Sequence, residues 1–99
     1  MIRKKAIPTS GKIRIGFTEG QRDLLLNHTL ADDSYAKRLR ADGSGKKVFG
    51  DYSIEDLEDM LGFIAEGASH SETRLVEDRL DALYDKIEKV VQRYSPERL

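Results

Sequence analysis

Val76, Leu80, Leu83, Ile87, Val90 and Tyr94 recur at intervals of 4, 3, 4, 3 and 4, the spacing that lines one side of a helix with apolar groups. A strand would scatter such a set over both its faces, and the pattern stops just before Pro96, where a helix must end. The C-terminal part of the chain is therefore bound to be helical and needs a second apolar surface to lie against.

Ile54, Leu57, Leu61, Ile64 and Ala68 supply that surface at intervals of 3, 4, 3 and 4, widened by Met60 and Ala65. Ser53 with Asp56 marks the start of this segment, and Glu55, Asp56, Glu58 and Asp59 crowd the first turns, where the helix dipole favours negative charge. Gly67 reads as a stop, and Ser69 with Glu72 reads as a capping box that restarts the chain. The expectation is an antiparallel helical hairpin with arms of about 20 Å and about 35 Å. The longer arm would overhang, leaving Ile87, Val90 and Tyr94 as an apolar patch. Either the segment around Leu24, Leu25 and Leu26 folds back over it, or a second copy of the chain does.

The first half is more mixed. Ile13, Ile15 and Phe17 alternate with polar or small residues, the period of a half-buried strand. Thr18 with Gln21 is a capping box opening a short helix that runs to about His28. Asp32, Asp33 or Ser34 can cap another brief helix carrying Tyr35 and Leu39, closed by the Gly43-Ser44-Gly45 turn. Residues 46–49 read as a second strand able to pair with 13–17. The fold expected is mainly α (α+β): four helices, a C-terminal antiparallel helical hairpin and a short two-stranded β-ribbon. Residues 1–12 read as a flexible basic arm, 13–95 as a single helical domain and 96–99 as a tail.

At 99 residues the chain holds one core and not two. It has no cysteine, which excludes disulfides, thiolate metal sites and cysteine nucleophiles. It shows neither the apolar stretch of a signal peptide nor the roughly 20 apolar residues of a membrane span, so the cytoplasm is the expected address and no membrane partner is expected. The net charge of −1 conceals a split. Residues 1–50 carry 11 Lys or Arg against 5 Asp or Glu, and residues 51–99 carry 6 against 13. Such a split suits a polyanion on one side, a cationic partner on the other, or neutralisation within the fold.

Residues that could carry chemistry are few. His28 and His70 are the two histidines, and Glu66 lies four residues before His70, so these three are the candidates for a metal or proton-transfer site. Glu66 and His70 alone are too few for a structural zinc, and a third ligand would have to come from His28 or an aspartate placed by the fold; local hydrogen bonding in the turns accounts for both histidines. No Gly-x-Ser-x-Gly elbow accompanies Ser69 or Ser71, and the Gly43 to Lys47 stretch is too short for a phosphate loop. No enzymatic activity and no cofactor are expected. Arg3, Lys4, Lys5, Arg14, Lys46 and Lys47, together with Lys12, would cluster if the two strands pair, as phosphate binding requires.

Phe17-Thr18-Glu19, Leu24 to Thr29, Ile54 to Asp59 and the Glu66 to His70 turn resemble a small uncharacterised bacterial helical domain family associated with plasmid-type open reading frames. The resemblance covers residues 13–94 and implies a standalone helical module with no assigned activity or cofactor. Where the family pattern often has asparagine before the turn histidine, this chain has Ser69.

Three functions are left in play. The first is a non-enzymatic protein-interaction or regulatory module, or a self-associating one, using Ile87, Val90 and Tyr94 or the acidic Asp56 and Asp59. The alternative is a nucleic-acid-binding protein using the basic N-terminal half. The third is the metal or catalytic site at His28, Glu66 and His70.

Overall fold

The computed structural model describes residues 11–41 and 45–94. Its elements run β1 (Ile13–Thr18), α1 (Glu19–Asn27), α2 (Asp33–Lys37), β2 (Arg40–Ala41), β3 (Lys47–Tyr52), α3 (Ile54–Ser69) and α4 (Arg74–Arg93). The expected flexible arm and C-terminal tail fall almost wholly outside the described residues, as do Gly43 and Ser44 of the expected turn.

β1 and β3 pair antiparallel from Ile13 opposite Tyr52 to Thr18 opposite Lys47. The ribbon is wider than expected: Arg40 and Ala41 pair with Phe49 and Val48, giving a three-stranded sheet in the order β1-β3-β2. Alternation turns Ile13, Ile15, Phe17, Val48 and Tyr52 inward, where they join residues of α1, α3 and α4 in one core. The other face of the sheet is left to solvent.

Two of the three expected capping boxes form. Thr18 accepts from the Gln21 N–H while the Gln21 amide accepts from the Thr18 N–H, and Ser53 and Asp56 reciprocate in the same way. The third does not. Gly67 fails to stop α3, which runs on to Ser69 with His70 as its C-cap, and α4 is capped by Thr73 accepting from Val76. Four residues, roughly one turn, now separate the arms, 16 residues against 20.

The expected overhang is closed by the domain itself. Ile87 is 0% exposed, and Val90 and Tyr94 are half-buried against the core. α1 and the end of β1 cover this part of α4: the Lys86 ammonium donates to the Gln21 amide oxygen and sits 5.2 Å from the centre of the Phe17 ring. The buried stripe of α4 is Leu80, Leu83, Ile87 and Val91, with Val91 replacing Val90 as the innermost residue. A straight helix turns 3.6 residues per revolution, so a strict heptad seam drifts off its face unless the helices supercoil. In α3 the same drift puts Met60 in the core and leaves Leu61 half-buried and Ala65 exposed. Among the described residues no helix is long and apolar enough to cross a membrane.

Candidate functional site

Two concave surfaces stand out. The first lies between the loop after α1 and the turn joining α3 to α4. It is a cleft of about 510 Å³ whose lining includes His28, Leu30, Phe63, Glu66, His70 and Val76. The fold thus brings the three metal or catalytic candidates to one cleft, and Gly67 explains how. A Cβ on Gly67 would come within 2.6 Å of the His28 carbonyl oxygen, so the α1 loop can lie against α3 only where a side chain is missing. Gly67 is a packing residue inside the helix, not a terminator.

This close approach gives a prediction with an internal control. Gly67→Ala should destabilise by about 1–3 kcal/mol as backbone is pushed apart, even though alanine is the better helix former by about 1 kcal/mol. Gly62, in the same helix with nothing within 4 Å of an added Cβ, should gain about 0.4–1 kcal/mol from the same change. Urea midpoints of the two variants should therefore move in opposite directions.

The chemistry of this cleft is modest. His70 Nδ1 lies 2.9 Å from the Glu66 carbonyl oxygen; a carbonyl can only accept, so Nδ1 carries the proton and the imidazole serves as part of the helix cap. Ser69 and Ser71 hydroxyls donate to the Glu66 and Ala68 carbonyls, and the His28 N–H donates to the Leu24 carbonyl. Among the described residues no three His, Asp or Glu side chains are grouped to hold a metal ion.

The acidic candidates are occupied within the fold. Asp56 accepts from Arg38 at 2.9 Å and from the Ser53 N–H at 3.1 Å. Burial works to raise its pKa, but the Arg38 bond, the Ser53 N–H and the guanidinium charge outweigh it and hold the carboxyl below the usual range. Asp59 accepts a 3.3 Å bond from the Tyr35 hydroxyl.

The second surface is a groove of about 540 Å³ across the solvent face of the sheet, bordered by Lys12 and Arg14 on the β1 side and Arg38, Arg40 and Ala41 on the β2 side, with Phe49, Gly50 and Asp51 between. Strand alternation puts Arg14, Phe49 and Asp51 on this face, and the register sets Arg14 opposite Asp51 and both Gly16 and Arg40 opposite Phe49. The Phe49 ring lies down over Gly16, where a Cβ would meet it at 2.6 Å. The Arg14 guanidinium sits 5.0 Å from the ring centre. Arg40 is braced by donating to the Lys37 and Leu39 carbonyls, and Arg38 is committed to Asp56 and the Asp51 carbonyl.

Of the basic candidates, Arg14 borders the groove, Lys47 and Lys46 are exposed at the far end of β3, and Arg3, Lys4 and Lys5 lie outside the described residues. Lys47 lies near enough to Lys86 that its charge, after burial, helps lower the Lys86 pKa. Arg40 and Phe49 are the additions the sequence did not single out. Extending the alternation of Val48, Gly50 and Tyr52 would have turned Phe49 outward; β2, at two residues, carries no periodic signal.

No protein-family model matches the chain, no curated protein is significantly similar to it in sequence, and no solved structure is significantly similar to it.

Proposed function

We propose that the protein is a non-enzymatic binding module whose partner is nucleic acid, held on the outer face of the sheet. The observation that carries this reading is the groove across β1, β3 and β2, where Lys12, Arg14 and Arg40 border an aromatic floor. Phosphates are held by such charges. The overall acidity does not oppose it, because much of the negative charge belongs to α3 and α4, which meet the inner face of the sheet, while these basic groups are on the outer one. A nucleic-acid partner also fits a cytoplasmic address.

Three phosphate contacts on a single strand imply a slope of about −2 in log K against log salt, so affinity should fall about twentyfold between 50 and 200 mM salt. Fluorescence anisotropy with labelled oligonucleotides, single-stranded and duplex, measures this directly. Replacing Arg14→Glu together with Arg40→Glu should abolish binding while the circular dichroism spectrum stays that of the parent. Failure of both oligonucleotides to bind at 50 mM salt would end the proposal.

A protein partner keeps one observation in its favour. Leu30, 78% exposed, lies on the lip of the His28 cleft, whose charged lining residues are Glu66 and Glu72. An apolar segment with a neighbouring Lys or Arg suits that cleft. With nucleic acid eliminated, the cleft becomes the first place to look.

A further inference from the structure

We infer that the groove takes single-stranded rather than duplex nucleic acid, with one base stacked on Phe49. This rests on the sheet-face reading above and specifies its partner. A duplex is read by an element that enters a groove, typically a helix or a projecting two-stranded ribbon. The outer face of this sheet offers neither: Phe49 is half-buried and lies along the sheet over Gly16, so it cannot wedge between paired bases. A flat aromatic ring beside basic side chains is the arrangement that receives unpaired bases, because every base has a π-face and stacking needs no particular edge.

The groove holds the parts in the required order. Gly16 opposite Phe49 in the register is what lets the ring lie down; any larger residue there would lift it off the sheet. The exposed Arg14 guanidinium already lies near the ring, the position an incoming base would take, and a planar guanidinium can pass from stacking on the ring to stacking on the base or binding its phosphate. Arg14 on the β1 side and Arg40, opposite Phe49 on the β2 side, flank the ring, so a strand crossing the sheet meets a positive charge before and after the stacked base. Asp51, opposite Arg14, is the one carboxylate bordering the groove among the described residues. It disfavours phosphate at that point and can accept from a base amino group, which orients the base toward β3 and the phosphates toward the rims. With Arg38 held by Asp56, Arg14 and Arg40 are the charges nearest the ring, and Lys12 stands on the β1 border of the groove. So few phosphate contacts make stacking a large share of the affinity.

The test compares a labelled twelve-nucleotide thymidine strand with a twelve-base-pair duplex, using the parent protein, Phe49→Leu and Phe49→Tyr. Single strand is expected to bind at least tenfold more tightly than duplex. Phe49→Leu should weaken single-strand binding about tenfold or more without changing the salt slope, and Phe49→Tyr should retain it. Phe49 faces away from the core, so circular dichroism should be unchanged in both variants. Equal affinity for the duplex, indifference to Phe49→Leu, or equal competition by polyglutamate would overturn the stacked single strand and leave a plain anion-binding face. Absence of binding by either oligonucleotide would remove the sheet-face reading along with it.

Discussion

Ile87→Asp should unfold the protein or bring it to the edge of unfolding at 25 °C. The side chain is 0% exposed in the contact between α4 and the rest of the core, so the change removes a fully buried aliphatic group, worth about 1.5–3 kcal/mol, and puts a carboxylate with no partner in its place. A buried, unpaired charge is among the few changes that reach about 4–5 kcal/mol, a large share of the about 5–15 kcal/mol that holds a native protein together. Far-ultraviolet circular dichroism should report loss of the helical signal. Val90→Asp, at a half-buried position one turn on, should still fold, with a lowered melting temperature. If Ile87 were an exposed contact for a partner, the first variant would instead fold normally and lose only association.

The second large effect is alkaline. Tyr52 is wholly buried at the end of β3 and its hydroxyl donates to the Tyr35 carbonyl. Burial pushes its pKa up to about 12, with the Arg38 charge pulling the other way and the nearby Asp56 and Asp51 adding to the rise. The folded state therefore favours the neutral phenol, whose ordinary pKa is about 10. The resulting stabilisation is complete below pH 10 and is lost progressively as pH rises from 10 through 12, amounting to about 3 kcal/mol. Urea midpoints should drop across that window, and the ultraviolet titration of the four tyrosines should have a component delayed to about pH 12. Tyr52→Phe should begin about 1–3 kcal/mol less stable, because the Tyr35 carbonyl is left unsatisfied. It should then lose less stability over the same window, so the two curves converge.

Much of the fold was legible because it is written locally. Thr18 with Gln21 and Ser53 with Asp56 set helix starts within four residues, and the alternation in 13–17 fixed which face of β1 is buried. The two apolar seams required α3 and α4 to pair. What was not legible depends on groups far apart in the chain. Gly67 has the composition of a helix stop, and only the approach of the His28 carbonyl reveals why a glycine stands inside a helix. The cover over the overhang was legible as one of two coverings, the Leu24 to Leu26 segment or a second copy, and the structure shows the first: α1 and the end of β1 meet α4. For the candidate groove, the excess of basic residues in the first half drew attention to β1 and β3. Arg40 and Phe49 became neighbours only through the register of a strand too short to have a pattern of its own.

The sheet order has a kinetic consequence. β1 pairs with β3 across the whole intervening stretch 19–46, whereas α3 and α4 are joined by a turn of a few residues. Closing a loop as long as 19–46 costs roughly 3 kcal/mol of chain entropy before any strand contact repays it, and contacts between distant residues form late. The helical hairpin can assemble early from near neighbours, while the groove on the sheet exists only once the ends of the long loop have met. The groove is thus tied to a more entropically demanding step than the pairing of α3 and α4, and on the proposal made above a strand of nucleic acid lying across β1, β3 and β2 would hold together a part of the domain that the chain closes only at that cost.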